Sequence, residues 1–372
     1  MLGLSKKESN ATPITRKMKM YEDELKAIIE RVKSADENMA EQAQKRWDSV
    51  AHPLGGLGLF ESAIIDIAAC QSRLIPDISK KAVAVFCADN GIVAEGVSQT
   101  GQEVSAIVAK NMCTGQTSVC NMAKVANADV FPVDIGLLNA VDDERITDLC
   151  VRRGTADFLK EDAMSREEAA FAMVRGANFA KTLIEKGYNL LATGEMGIGN
   201  TTTSTAVACA LLGLDANSAT GRGAGLCDEG LEKKRKVISE GLKRRNVDKT
   251  DALGVVAKVG GLDIAAMAGF FIEAAGEKRC VLIDGFISAV AALVAVRLCP
   301  ACNRFLIATH ESAEPAFQAV LSALEKKAFI RANMHLGEGT GAVMAFPMLD
   351  MALSVYKNMA TFSEINVEAY KR

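Results

Sequence analysis

"NLLATGEMGIGNTTTSTAVACALLG", residues 189–213, decides the fold. It opens on a short apolar run, passes through glycines and one acid, Glu195, then through a block of threonines, and ends in an apolar helical segment. A brief apolar run, a glycine turn and an apolar helix together read as a strand feeding a helix. Similar runs stand at 82–89 (AVAVFCAD), 128–136 (ADVFPVDIG), 281–285 (VLIDG) and 304–310 (RFLIATH). Each is continuous instead of alternating, the form of a strand buried on both faces.

Between these runs lie helical stretches: SREEAAFAMVRGANFAKTLIEKG, GLEKKRKVISEGLKRR, GLDIAAMAGFFIEAAG, FISAVAALVAVRL and AEPAFQAVLSALEKKA. Strands alternating with long helices predict βα units, hence an α/β fold with a Rossmann-like, mostly parallel sheet flanked by helices. Ligands in such sheets sit beyond the carboxyl ends of the strands. The segments expected there are CADNG, DIG, TGEMGIGN, IDG and THESAEP.

The two ends of the chain read differently. Residues 1–20 are polar and aperiodic, which predicts a loose N-terminal extension. Residues 21–75 and 345–372 carry helical patterns without strands, and we expect them to form a small helical domain beside a catalytic domain of residues 76–344.

Composition bounds the function. About half the 372 residues are apolar and the formal net charge is -3, so a folded globular protein is expected and a nucleic-acid partner is not. The longest apolar run, from Gly285, ends at Arg297, short of a bilayer span, so no membrane partner is expected. The start, MLGLSKKESN, has no signal-like apolar core. The ten cysteines lie mostly in apolar contexts, as buried free thiols of a cytoplasmic protein would. Only Cys299 and Cys302 have CxxC spacing, and His52, His310 and His335 supply no matching ligands, so no metal site is expected.

Three glycine-rich segments carry acids or lysines. In GEMGIGNTTTS the glycines let backbone N–H groups approach a ligand and the following helix presents its positive end. No Gly-Lys-Ser/Thr follows, so it is not a triphosphate loop. Its plain alternative is a strand-to-helix turn, in which Glu195 has no propensity reason to stand. GRGAGLCDEGLEKKRKVI, 221–238, sets a glycine loop before Lys233, Lys234, Arg235 and Lys236. One of these lysines can reach a phosphate as a point charge, or the run is a solvated face. In HLGEGTGA, Glu338 stands between Gly337 and Gly339. Partial desolvation there would raise its pKa and suit it to general-base work; the alternative is a turn glutamate facing water. Finally, EGVSQTGQEVS, 95–105, reads as a mobile lid.

Taken together, GEMGIGNTT, GRGAGLCDEGLEKKRKVI, GGLDIAAMAGF, LIDGFISAVAAL, THESAEPA and HLGEGTGAVMAFPMLDMA resemble the nicotinate-nucleotide–dimethylbenzimidazole phosphoribosyltransferase family, from about Pro53 onward. The resemblance implies transfer of the phosphoribosyl group of nicotinate mononucleotide to a benzimidazole-type base, with inversion and without metal or cofactor. It implies Glu338 as general base and Lys234 as the phosphate-binding lysine. It places Gly197, Gly285 and Ser312 at the nucleotide, Glu195 at its ribose and phosphate end with Lys234 between acid and phosphate, and Met196, Leu336 and Ser98 around the base, with Gly337 a further substrate contact. It also implies a homodimer. Three segments depart from the family pattern: Asp89-Asn90-Gly91 for Asp-His-Gly, AHPLGGLG for Lys-Pro-Pro-Gly-Ser-Leu-Gly, and SQTGQEVS without the common proline. All lie near the incoming base or the domain contact, and leave the base open among a benzimidazole, a purine and a phenol. Another nucleotide-dependent transferase or hydrolase, or a non-catalytic nucleotide-binding module, is the competing expectation.

Overall fold

In a computed structural model of the chain, which describes residues 13–371, the opening stretch is a strand followed by a helix. The chain begins with three helices, α1 (Pro13–Arg31), α2 (Glu37–Ser49) and α3 (Leu59–Gln71). Next come β1 (Lys81–Ala88), α4 (Glu103–Cys113), α5 (Ser118–Ala126), β2 (Ala128–Gly136), the short β3 (Thr147–Asp148) and α6 (Arg166–Glu185). The decisive stretch forms β4 (Leu190–Met196) and α7 (Asn200–Leu212). After it follow α8 (Ala216–Ala219), α9 (Asp228–Arg245), α10 (Ala252–Val259) and α11 (Leu262–Gly276). The last segments are β5 (Val281–Ile283), α12 (Phe286–Leu298), β6 (Leu306–Ala308), β7 (His310–Ser312), α13 (Phe317–Ala323), β8 (Ile330–Met334) and α14 (Thr340–Asn358).

Six strands form one sheet in the order β3-β2-β1-β4-β5-β6, and every adjacent pair is parallel. This is the α/β, Rossmann-like arrangement expected. The strand order reverses between β1 and β4, so the crevice beyond their carboxyl ends is the topological switch point. All eight residues of β1 are buried, as a strand covered on both faces requires.

The helices on one face meet without intervening side chains. A Cβ on Gly176 of α6 would lie 1.9 Å from Ala266 O, and one on Gly269 of α11 would lie 1.8 Å from Met173 O. Two glycines therefore let α6 and α11 cross backbone to backbone. Gly269→Ala is expected to force the helices apart and destabilise the fold by about 1–3 kcal/mol, the usual cost of overpacking. Urea unfolding of the variant checks this.

The chain termini add a further layer. Trp47 of α2 packs on Tyr356 of α14 at a ring separation of 4.9 Å, and Tyr356 Oη donates to Leu74 O at 2.9 Å. Val50 and Thr361 form an antiparallel bridge that ties the C-terminal segment to the end of α2. Helix α1 instead lies on α6 and α11, with Tyr21 stacked on Phe171 at 4.2 Å and Leu25 and Ile28 buried.

Three expectations need correction. The loose extension expected over 1–20 lies outside the described residues up to position 12, but from Pro13 the chain is helical. Proline suits the first turn of a helix because its missing N–H would be unpaired there. The strand expected at 304–310 is broken in two: a 3₁₀ turn takes Pro300–Phe305, and β7 leaves the main sheet to pair in parallel with β8. Thr309 marks the break, its Oγ1 donating to Ile283 O at 2.7 Å. The helix expected over 313–328 is only α13, because the chain turns left-handed at Glu325 (φ 55°). Among the described residues no helix is long and apolar enough to cross a membrane.

Candidate active site

A cleft opens beyond the carboxyl ends of β4 and β5. The end of β4 and the turn after it supply Glu195, Met196 and Gly197 to its wall, and the β5–α12 turn supplies Asp284 and Gly285. Ser312, Glu314, Leu336 and Gly337 close the other side. Seven of the ten residues singled out in the sequence therefore share one cavity: Glu195, Met196, Gly197, Gly285, Ser312, Leu336 and Gly337.

The N-termini of α7 and α12 border this space, and at α7 the Asn200 and Thr202 N–H groups are already taken by Gly197 O and Gly199 O. Helices α7 and α12 begin after Gly199 and Gly285, and neither has a side-chain cap. Uncapped first-turn N–H groups with the helix dipole behind them favour an anion. Gly197 lets the turn pack against the end of β1, since a Cβ there would lie 2.2 Å from Ala88 O.

Lys234 stands behind the glycine loop. It lies on α9 and is fully buried, yet among the described residues its Nζ donates only to Thr201 Oγ1, at 2.8 Å. Burial pulls its pKa down to about 8, and the nearby Glu314 opposes that shift. Gly223 (φ 55°) passes within reach: a Cβ there would lie 3.4 Å from Lys234 Nζ. Glu314 Oε1 accepts the Gly223 N–H at 3.1 Å and so holds the loop in place.

Glu195 is buried at the end of β4, and its Oε2 accepts from the Asn200 side-chain amide. Burial pushes its pKa up to about 8 and Asp263 adds to the rise; Asn200 opposes it, while Asp284 and Glu338 raise it further. At neutral pH this carboxyl is therefore protonated. The sequence led us to expect Lys234 between Glu195 and a phosphate. The structure separates the two: Lys234 sits with Thr201 and Glu314, Glu195 with Asn200 and three other acids. An acid at an anion site is tolerated here because burial keeps it neutral.

Glu338 lies just past the cleft wall and does not line it. Its backbone is left-handed (φ 61°) and runs over Gly194, where a Cβ would lie 2.4 Å from Glu338 O. Its Oε2 accepts from Val119 N–H, at the start of α5, at 3.2 Å. Burial raises the carboxyl above the ordinary glutamate value, and the α5 amide opposes this. Ser98, expected at the edge of the base pocket, is half-buried and does not line the cleft. The segment expected to be a lid is shorter than it read: a 3₁₀ turn takes Gly91–Glu95, and α4 begins at Glu103. What remains is tied down, since Gln99 Nε2 donates to Gly225 O.

The residue that sequence reasoning missed is Asp284. It is buried and accepts from Gly339 N–H (3.2 Å), Gly341 N–H (2.7 Å) and Ala342 N–H (3.1 Å). One carboxylate thus caps α14 and anchors the turn that carries Glu338. Its position at the end of a strand in "VLIDG" was the available signal. Asp284→Asn keeps the shape but presents an amide NH₂ to backbone donors. Exchange of the 339–342 amides with solvent is expected to quicken by about tenfold or more, the loss of a charge-assisted bond. Hydrogen-exchange mass spectrometry reads this directly. Asn200, Asp263 and Glu314 were likewise not singled out. All ten cysteines are free, and Cys299 and Cys302 are buried at the turn after α12.

Known proteins resemble this chain along most of its length. A phosphoribosyltransferase family model matches residues 32–367. The nicotinate-nucleotide–dimethylbenzimidazole phosphoribosyltransferase of Acetivibrio thermocellus is 44% identical over 331 residues, covering 89% of this chain and 94% of its own length. The protein of the same name from Ruminiclostridium cellulolyticum is 40% identical, over 92% of this chain and 97% of its own. The crystal structure of CobT from Thermus thermophilus superposes with a TM-score of 0.85 at 37% identity, covering 89% of this chain and 99% of that one.

Proposed function

This chain belongs to the nicotinate-nucleotide–dimethylbenzimidazole phosphoribosyltransferase family, and from that premise we propose that it transfers the phosphoribosyl group of nicotinate mononucleotide to 5,6-dimethylbenzimidazole or a related base. The products are nicotinate and α-ribazole phosphate, the nucleotide of the cobalamin lower ligand. A benzimidazole nitrogen forms a bond to C1′ as the bond from C1′ to the pyridinium nitrogen breaks. The bonding pair leaves on that nitrogen, C1′ inverts from β to α, and the proton on the second benzimidazole nitrogen passes to a carboxylate.

The observation that carries this function is a fully buried lysine beside the cleft that makes no ion pair among the described residues. Glu314 acts on this buried ammonium only from beyond ion-pair distance, and a phosphate would supply a direct counter-charge. Lys234, the Gly197 turn and the uncapped start of α12 after Gly285 hold the phosphate, with Ser312 beside it. Glu338 takes the proton; its half-buried carboxyl, raised by burial, suits a base working near neutral pH. Met196 and Leu336 give the base an apolar wall, and both face the cleft.

The test is direct. The protein is incubated with nicotinate mononucleotide alone and with a panel of benzimidazoles, purines and phenols, and products are identified by mass. Nicotinate should appear only when an acceptor base is present. Release without a base would mark a hydrolase, and binding without release a non-catalytic module.

The chain acts as a homodimer in the cytoplasm. Ten free cysteines suit a reducing compartment. An apolar strip of Leu57, Phe60, Met348 and Met351 faces outward along α3 and α14, and Met351 is 63% exposed. Patches of that kind mark association surfaces. Light scattering should give a dimer mass, and Met351→Glu should reduce it to the monomer.

A further inference from the structure

Asn200 is the first residue of α7, after Gly199 turns the chain at φ 91°. Its side chain is buried, and its amide nitrogen donates to Glu195 Oε2 and, at 3.2 Å, to Asp263 Oδ2. A side-chain amide has two N–H hydrogens, so each acid receives one. Asp263 Oδ1 is taken by Ile264 N–H at 2.9 Å. Glu195 Oε1 takes no hydrogen bond among the described residues. A Cβ on Gly337 would lie 2.6 Å from it, which puts this oxygen at the cleft wall.

We propose that Asn200 is a positioning residue for the transfer: it yokes Glu195 to Asp263 and leaves Glu195 Oε1 as the oxygen that meets the nucleotide. The proposal rests on the cleft being the nucleotide site. The charged groups facing Glu195 are acids from three different segments: Asp263 of α11, Asp284 after β5 and Glu338 before α14. Asn200 supplies the donor among them. Because Oε2 accepts from the amide, the proton of the neutral acid resides on Oε1 and is offered to the ligand. Without the amide, two buried carboxyls face one another and Glu195 is free to turn away from the cleft.

Two measurements test this. Asn200→Ala and Asn200→Asp are each expected to lower kcat by about tenfold, while KM for nicotinate mononucleotide moves by less than about threefold. A merely structural asparagine predicts unequal losses instead, since aspartate has the same shape and would be the milder change. In a Glu195→Ala background, Asn200→Ala should add nothing, because the asparagine acts through the acid. An undiminished further loss in that background, or full activity of Asn200→Ala, overturns the proposal. The second measurement needs no turnover. In carbon-13 NMR of glutamate-labelled protein, with Glu195→Gln as the assignment control, the Glu195 titration should move to higher pH in Asn200→Ala and further in Asn200→Asp. An unchanged titration overturns the proposal. Failure of the functional reading is visible separately: the unaltered protein would then release no nicotinate in the presence of a base.

Discussion

Glu338→Gln is expected to cut turnover by about 10²-fold or more while leaving KM for nicotinate mononucleotide nearly unchanged, the signature of a lost general base. Glutamine keeps the shape of the side chain, and its carbonyl oxygen can still accept the Val119 N–H at the start of α5. The turn and the fold therefore persist, and only the ability to take a proton is removed. The pH profile gives a second check. The base must be ionised, and burial raises the Glu338 carboxyl above its ordinary value. Turnover should rise as pH climbs through that raised pKa in the unaltered enzyme, and this rise should vanish in the glutamine variant. Steady-state kinetics with dimethylbenzimidazole across pH measure both effects. Unchanged turnover would remove Glu338 from the role.

Lys234→Ala is expected to raise KM for nicotinate mononucleotide by about 10- to 100-fold, the range for one charge-assisted bond to phosphate. The corresponding riboside, which lacks the phosphate, should be affected far less; an equal effect on both would contradict the assignment. The sign of the pH dependence follows from the lysine's titration. Lys234 loses its proton near pH 8 in the folded protein, so its hold on the phosphate is complete below that pH and fades above it. Stability runs the other way. The folded pKa lies below the unfolded value of about 10.4, so between about 8 and 10.4 the unfolded chain binds more protons. The stability contribution of this lysine therefore rises with pH across that window and is unfavourable below it, on the order of 3 kcal/mol at neutral pH. Lys234→Met should unfold at higher temperature than the unaltered protein at pH 7 while binding the nucleotide worse. Such an exchange of stability for function is common where a charge is buried to meet a ligand.

The sheet was legible because burial on both faces leaves a mark on the chain. The runs at 82–89, 128–136 and 189–194 became β1, β2 and β4 with boundaries within two residues. The shorter elements were not legible. Most of β8 is exposed, so no apolar run announces it, and β3 has only two residues. The glycine-flanked acids stood out because propensity does not explain them, and the structure brings Glu195 into the cleft and leaves Glu338 just behind its wall.

From the order of its residues alone, this protein has a parallel α/β sheet, glycine-rich turns at the strand ends and a basic run after one of them. These are local matters of periodicity, turn chemistry and charge. Tertiary structure alone decided which groups meet. Asp284 and the amides of 339–342 are more than fifty positions apart, as are Asn200 and Asp263, and no local pattern relates them. It also decided protonation. Glu195 holds its proton to about pH 8 and Lys234 releases its own near the same pH because the fold removes water from both. Desolvation depends on everything packed around a group, and that packing exists only once distant segments have come together.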